Sequence, residues 1–167
     1  MTEKDSNSPN PEIFNRENYD ITTLDDEITA DKNCQQLLKQ YHYYLLKNKG
    51  FTPLESGSMA SGTDYFLRDY MIDKCRTNIF AISPELVGSF AGNWYIVSTL
   101  EPNMDELQVM LAGIGGFYSF CATNGAIDPK IAATVNQACA KHEFYRQRIE
   151  SFHAITADGF TTWNKIC

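Results

Sequence analysis

From about residue 31 onwards, apolar side chains recur at steps of three and four, the period of a helix packed along one face. The most completely specified run is 103–129, NMDELQVMLAGIGGFYSFCATNGAIDP. Asn103 is a good N-cap, and Glu106 stands where it can reach back to the cap's own amide. Asp105 and Glu106 place negative charge at the positive end of the helix dipole. Leu107, Met110, Leu111, Ile114, Phe117, Tyr118 and Cys121 then form one apolar face. Asn124-Gly125 supplies a left-handed stop, and Asp128-Pro129 reads as the cap and first residue of a following helix. Gly113, Gly115 and Gly116 lie inside this helix, each costing roughly 0.5–1 kcal/mol relative to alanine. Close approach of a neighbouring helix is preferred over a kink as their purpose, because aromatic residues that need covering follow at once.

The same grammar predicts four more helices. The first covers 31–49, with Asp31 as cap, a stripe of Cys34, Leu37, Leu38, Tyr41, Tyr44 and Leu45, and a stop at Gly50. A turn containing the breakers Pro53 and Gly57 follows. The second helix covers 58–77 on Met59, Thr63, Phe66, Leu67, Tyr70 and Met71. Ser83-Pro84-Glu85 opens the third, which runs to about Val97 and buries Leu86, Val87, Phe90 and Trp94. The last spans 129–152 through Ile131, Val135, Cys139, His142, Tyr145 and Ile149, before a short tail in which Phe160 and Trp163 are candidate anchors. No stretch shows strand alternation. The pattern implies one all-α domain, a compact bundle of about five helices over 31–167.

Residues 1–30 have few apolar side chains and no sustained period, which marks a largely flexible leader. Ile13, Phe14, Tyr19, Ile21 and Leu24 are the side chains able to dock it on the body. Charge sharpens this division. The 167 residues carry a net −7, and 1–33 hold nine acids against three bases, leaving the body nearly neutral. The N-terminal stretch lacks the apolar segment of a secretory signal, and no run of about eighteen apolar residues exists, so a cytoplasmic protein without a membrane span is expected. Five widely spaced cysteines without a C-x-x-C pair read as buried free thiols.

Catalytic and metal motifs are not found in this pattern. Cys139 and His142 share a helical face, but His42 and His153 are isolated, and a zinc site needs a second such pair. The Gly113–Gly116 run is intrahelical, unlike a phosphate loop between strand and helix. Glu143 to Gln147 and Arg146 to Glu150 have the spacing of surface pairs, and Arg148 lies on the same helix. No enzyme activity, cofactor or metal is expected.

The motif order has a family likeness. YHYYLLKNKGFTP with the later YFLRDYMI, then ISPELV…F, then L…FYSFCATNGAID, resembles the N-terminal core-binding domain of tyrosine recombinases and integrases over about 37–129. That likeness implies a SAM-like helical fold and an association with DNA. The catalytic domain of that family has no counterpart here: the residues after Pro129 carry no His-x-x-Arg, and strand cleavage is not expected.

Two functional readings follow. The leading one is a non-enzymatic module for protein–protein contact or self-association, using Trp94 and Tyr95. These adjacent aromatics point in different directions, which makes one of them a candidate for exposure unless the last helix and the tail cover both. The alternative is a DNA-associated accessory protein gripping phosphate with Lys47, Lys49, Arg68, Lys74 and Arg76. The acidic charge disfavours it, since phosphate neutralisation supplies most nucleic-acid affinity.

Overall fold

The computed structural model describes residues 11–167, and among them every regular element is helical. Two 3-10 turns, Pro11–Phe14 and Arg16–Tyr19, lead into α1 (Leu24–Lys47). Then come α2 (Pro53–Asp64), continued without a break by a π-helix, π1 (Tyr65–Lys74), and α3 (Pro84–Ser89), which runs through a second π segment, π2 (Phe90–Trp94), into α4 (Tyr95–Ser98). The chain closes with α5 (Met104–Thr123), α6 (Pro129–Cys139), α7 (His142–His153) and α8 (Gly159–Asn164).

The organising element is α5. The Asn103 side chain accepts from the Glu106 amide at 2.8 Å, as the sequence predicts. The other half of the expected capping box is replaced: the Asn103 amide donates to the Tyr95 hydroxyl at 3.2 Å, and that hydroxyl donates to the Asn103 carbonyl at 3.2 Å. Glu106 is thereby left at the surface. Gly125 closes the helix at φ +75°, and the Asp128 carboxylate caps α6 through the Lys130 amide at 2.8 Å. The glycine run serves close packing. A Cβ at Gly113 would stand 2.6 Å from Thr63 Oγ1 and still closer to the Met59 carbonyl of α2, and one at Gly116 would stand 2.6 Å from the Tyr41 hydroxyl of α1. Here α2 and α5 meet backbone to backbone, and α1 reaches the same junction through the Tyr41 side chain.

Around that junction the core is aromatic. Tyr41 donates to the Gly113 carbonyl at 2.7 Å, Tyr118 to Ile79 at 2.7 Å, Tyr145 to Ala138 at 2.8 Å and Tyr19 to Ile13 at 2.5 Å. Each phenol is buried, and each satisfies its hydroxyl on a main-chain oxygen, the condition for burying a tyrosine without loss. Burial pushes the ionisation of all four upward.

Four sequence boundaries need correction. The first helix starts at Leu24 rather than Asp31, because Thr23 and Asp26 form a reciprocal capping box. The segment before it docks through buried Ile13 and Tyr19, and Asn78 holds it by donating to the Arg16 carbonyl at 2.9 Å and the Asp20 carboxylate at 2.8 Å. The ordered body therefore reaches well into the predicted leader, whose first ten residues lie outside the described part. The second helix starts at Pro53, not Ser58: Thr52 and Glu55 make another capping box, which puts the supposed breaker Pro53 at the first helical position. Finally, the 129–152 helix is two helices. Tyr145 takes the Ala138 carbonyl, and the chain turns at Ala140-Lys141 before α7 begins.

Candidate interaction surface on α2

The aromatic pair predicted on the third helix separates by depth. Tyr95 is wholly buried, turned inward to hold the start of α5, so it is not a surface residue. Trp94 is half-buried, its indole among Tyr65, Tyr70 and Phe90 at ring-centre distances of 5.2, 5.3 and 5.9 Å. The π segment explains the inward turn: an extra residue per turn rotates Tyr95 relative to the face an α-helix would give it.

The five basic candidates do not share one face. Arg68 is held by Asp31 at 2.8 Å and Asp64 at 3.3 Å, and Arg76 is paired with Glu27. Asp31 feels opposing influences: partial burial raises its ionisation, while hydrogen bonds from Arg68 and Gln35 and the Arg68 charge bring the net value below the ordinary one. Lys74 is exposed beside Arg76. Lys47 and Lys49 stand at the opposite end of α1, roughly 30 Å from Glu27 at the helical rise, with the Lys49 ammonium 6.0 Å from the Tyr44 ring. Two of the five charges are thus neutralised by carboxylates, and the rest lie at two ends of the molecule.

What the sequence pattern leaves unremarked is the outer face of α2. Leu54, Gly57, Ser58 and Ser61 fall at one-face spacing, i, i+3, i+4 and i+7. Leu54 is 80 % exposed, and Phe51 and Val109 beside it are also exposed. α2 stands between two clefts, one along each flank, with Leu54, Ser58 and Ser61 exposed on its outer side. On the α1 flank a cleft of about 630 Å³ is walled by Gln35, Lys39 and His42, with the Arg68–Asp64 pair and Asp69 at its far end. Across α2, a cleft of about 540 Å³ is walled by Glu106, Val109 and Met110 of α5, and an apolar one of about 440 Å³ opens over Phe51, Leu54, Met59 and Ala112. Gly57 and Ser61 line both the α1 cleft and the Glu106 cleft. Thr52-Pro53-Leu54-Glu55, a cap, proline and glutamate like Ser83-Pro84-Glu85, is the signal from which the start of α2 was readable.

Gly57 separates this face from the core glycines. A Cβ there would meet nothing within 4 Å, so its absence serves no contact inside the chain. Among the described residues, no group of three or more His, Cys, Asp or Glu is placed to hold a metal ion, and no helix is long and apolar enough to cross a membrane. Burial drives up the ionisation of the Cys34, Cys121 and Cys139 thiols, that of Cys139 to about 12, which favours the protonated thiol in each. No protein-family model, curated protein or solved structure matches this chain.

Proposed function

We propose that this protein is a non-enzymatic helical interaction module whose working surface is the outer face of α2, rather than the aromatic π2 segment. The observation that carries the reading is Leu54, 80 % exposed at the head of a small-residue helix and flanked by exposed Phe51 and Val109. Scattered single exposed apolar residues are ordinary on a protein surface, but a contiguous cluster bordered by clefts is the usual mark of a docking site. The floor of small residues suits a helix as the docked element, because backbones can approach closely over it.

Nothing in the geometry lends comparable support to the DNA reading. Arg68 and Arg76 would have to give up Asp31, Asp64 and Glu27 before meeting phosphate.

The test is a photo-crosslinking side chain placed at Leu54 of the full chain in living cells, compared with the same group at Leu100, which is 99 % exposed but lines none of these clefts. A discrete adduct from position 54 and none from position 100 is the expected result. Absence of any adduct from position 54, or equal adducts from both, would overturn the reading.

A further inference from the structure

The inference that follows rests on the α2 reading and names the occupant of that surface. We infer that a second copy of this chain docks on it, with the two α2 helices side by side and parallel about a two-fold axis running along them. Leu54, Gly57, Ser58 and Ser61 of each copy form the seam.

The choice of occupant comes from the charges on the two walls. Ser61 lines the clefts on both sides of α2, with Lys39 of α1 lining the one and Glu106 of α5 the other, so the two charges lie on opposite flanks of the helix. His42 adds to the Lys39 wall. On the other wall Glu106 is the charged residue nearest Ser61, with Glu55 a turn and a half away. Lys39 and Glu106 are both exposed, and neither takes part in an ion pair among the described residues. The other charges of the α1 cleft are Asp64 and Arg68, already paired, and Asp69, which lies further along the helix toward Asp31.

Symmetry then decides the arrangement. A two-fold axis across α2 at Ser61 would place Lys39 against Lys39 and Glu106 against Glu106. An axis along α2 exchanges the walls, so each Lys39 faces the second copy's Glu106, and the attraction is made twice. Opposite charges on matched walls set register and orientation, while the apolar seam supplies the adhesion. The open space at Gly57 is where two backbones can come closest, which gives that glycine the role it lacks within one chain. The Leu54 side chains meet on the axis at the head of the seam. A face one short helix long, about 18 Å at the helical rise, falls at the small end of stable interfaces and points to a concentration-dependent dimer.

The experiment is sedimentation equilibrium of the full chain over a wide concentration range. Four variants accompany it: Gly57→Gln, Lys39→Glu, Glu106→Lys and the double charge swap K39E/E106K. The expected result is a monomer–dimer equilibrium between 18.9 kDa and twice that mass. Gly57→Gln and each single charge change should weaken the dimer about tenfold or more, the scale of one lost 1.4 kcal/mol contact, and the double swap should restore it. Circular dichroism of each variant checks that the fold is retained. A monomer at every concentration would overturn the inference, as would a dimer indifferent to Gly57→Gln. A dimer broken at Gly57 but unmoved by the single swaps, or not restored by the double one, would overturn the parallel arrangement. If the chain stays monomeric while the group at Leu54 still crosslinks a different protein, the self-pairing fails and the interaction surface stands.

Discussion

At the residue scale, the glycines carry the sharpest distinction in this molecule. Gly113 and Gly116 are small because α2 and α1 press against them, whereas Gly57 is small with open space around it. Their alanine variants should therefore move in opposite directions. Gly113→Ala forces a methyl against the Met59 carbonyl and Thr63, and is expected to destabilise by about 1–3 kcal/mol. Gly57→Ala, measured in dilute solution where one chain stands alone, should stabilise by about 0.5–1 kcal/mol through helix propensity. Urea denaturation of both checks this, and a destabilising Gly57→Ala in dilute solution would show that its space is already used within the chain. The role of Gly113 is legible in the sequence, since a glycine run facing aromatics asks for a close neighbour. The role of Arg148 is not. It lies among charged residues that read as a solvated helix face, yet it is buried, donating to the Gly92 carbonyl at 2.8 Å and the Trp163 carbonyl at 2.9 Å beneath the Trp163 ring. Guanidinium satisfied by carbonyls and an indole leaves no charged partner in the sequence to betray it.

At the scale of elements, helix starts are written more plainly than helix interiors. Asn103, Ser83 and Asp128 cap where the sequence places them, because a cap is a local bond between a side chain and an amide two or three residues on. Thr23 and Thr52 cap by the same rule, and both were obscured by neighbours: an acidic run that resembled a leader, and a proline that resembled a breaker. The π segments and the α6–α7 turn have no comparable local signal. They are set by tertiary contacts such as the Tyr145 hydroxyl on Ala138 and the Arg148 fork on Gly92, and periodicity passes through them unchanged. The Thr23 cap has a pH signature. Asp26 accepts from the Thr22 hydroxyl and amide and from the Thr23 amide, which holds its carboxyl down to about 2, against an ordinary 3.8. A carboxyl lowered in the folded state stabilises above its unfolded value and loses that contribution as pH falls through the folded one. Asp26→Asn should therefore melt lower than the parent at neutral pH, with the gap closing between about pH 4 and pH 2. Thermal melts across that range decide it. A gap that persists at pH 2 would mean that the cap acts through shape rather than charge.

At the scale of the whole molecule, an all-α bundle follows from the sequence because one-face periodicity and caps agree over most of the chain. The candidate surface does not follow so readily. Adjacent aromatics at Trp94-Tyr95 promised an exposed side chain, but the π segment turns Tyr95 into the core and packs Trp94 on three other rings. The outer face of α2 is quiet in the sequence, being made of serine and glycine. Its character appears only when α1 and α5 pack on either side, leaving a cleft lined by Lys39 on one flank and a cleft lined by Glu106 on the other. Amide hydrogen exchange compared between dilute and concentrated solution reads that face directly, since it reports both whether copies associate and where. Slower exchange on concentration, confined to α2 and to the Lys39 and Glu106 turns beside it, is the expected result. Exchange in α2 that ignores concentration, or protection that appears at Trp94 instead, would contradict the assignment of this surface.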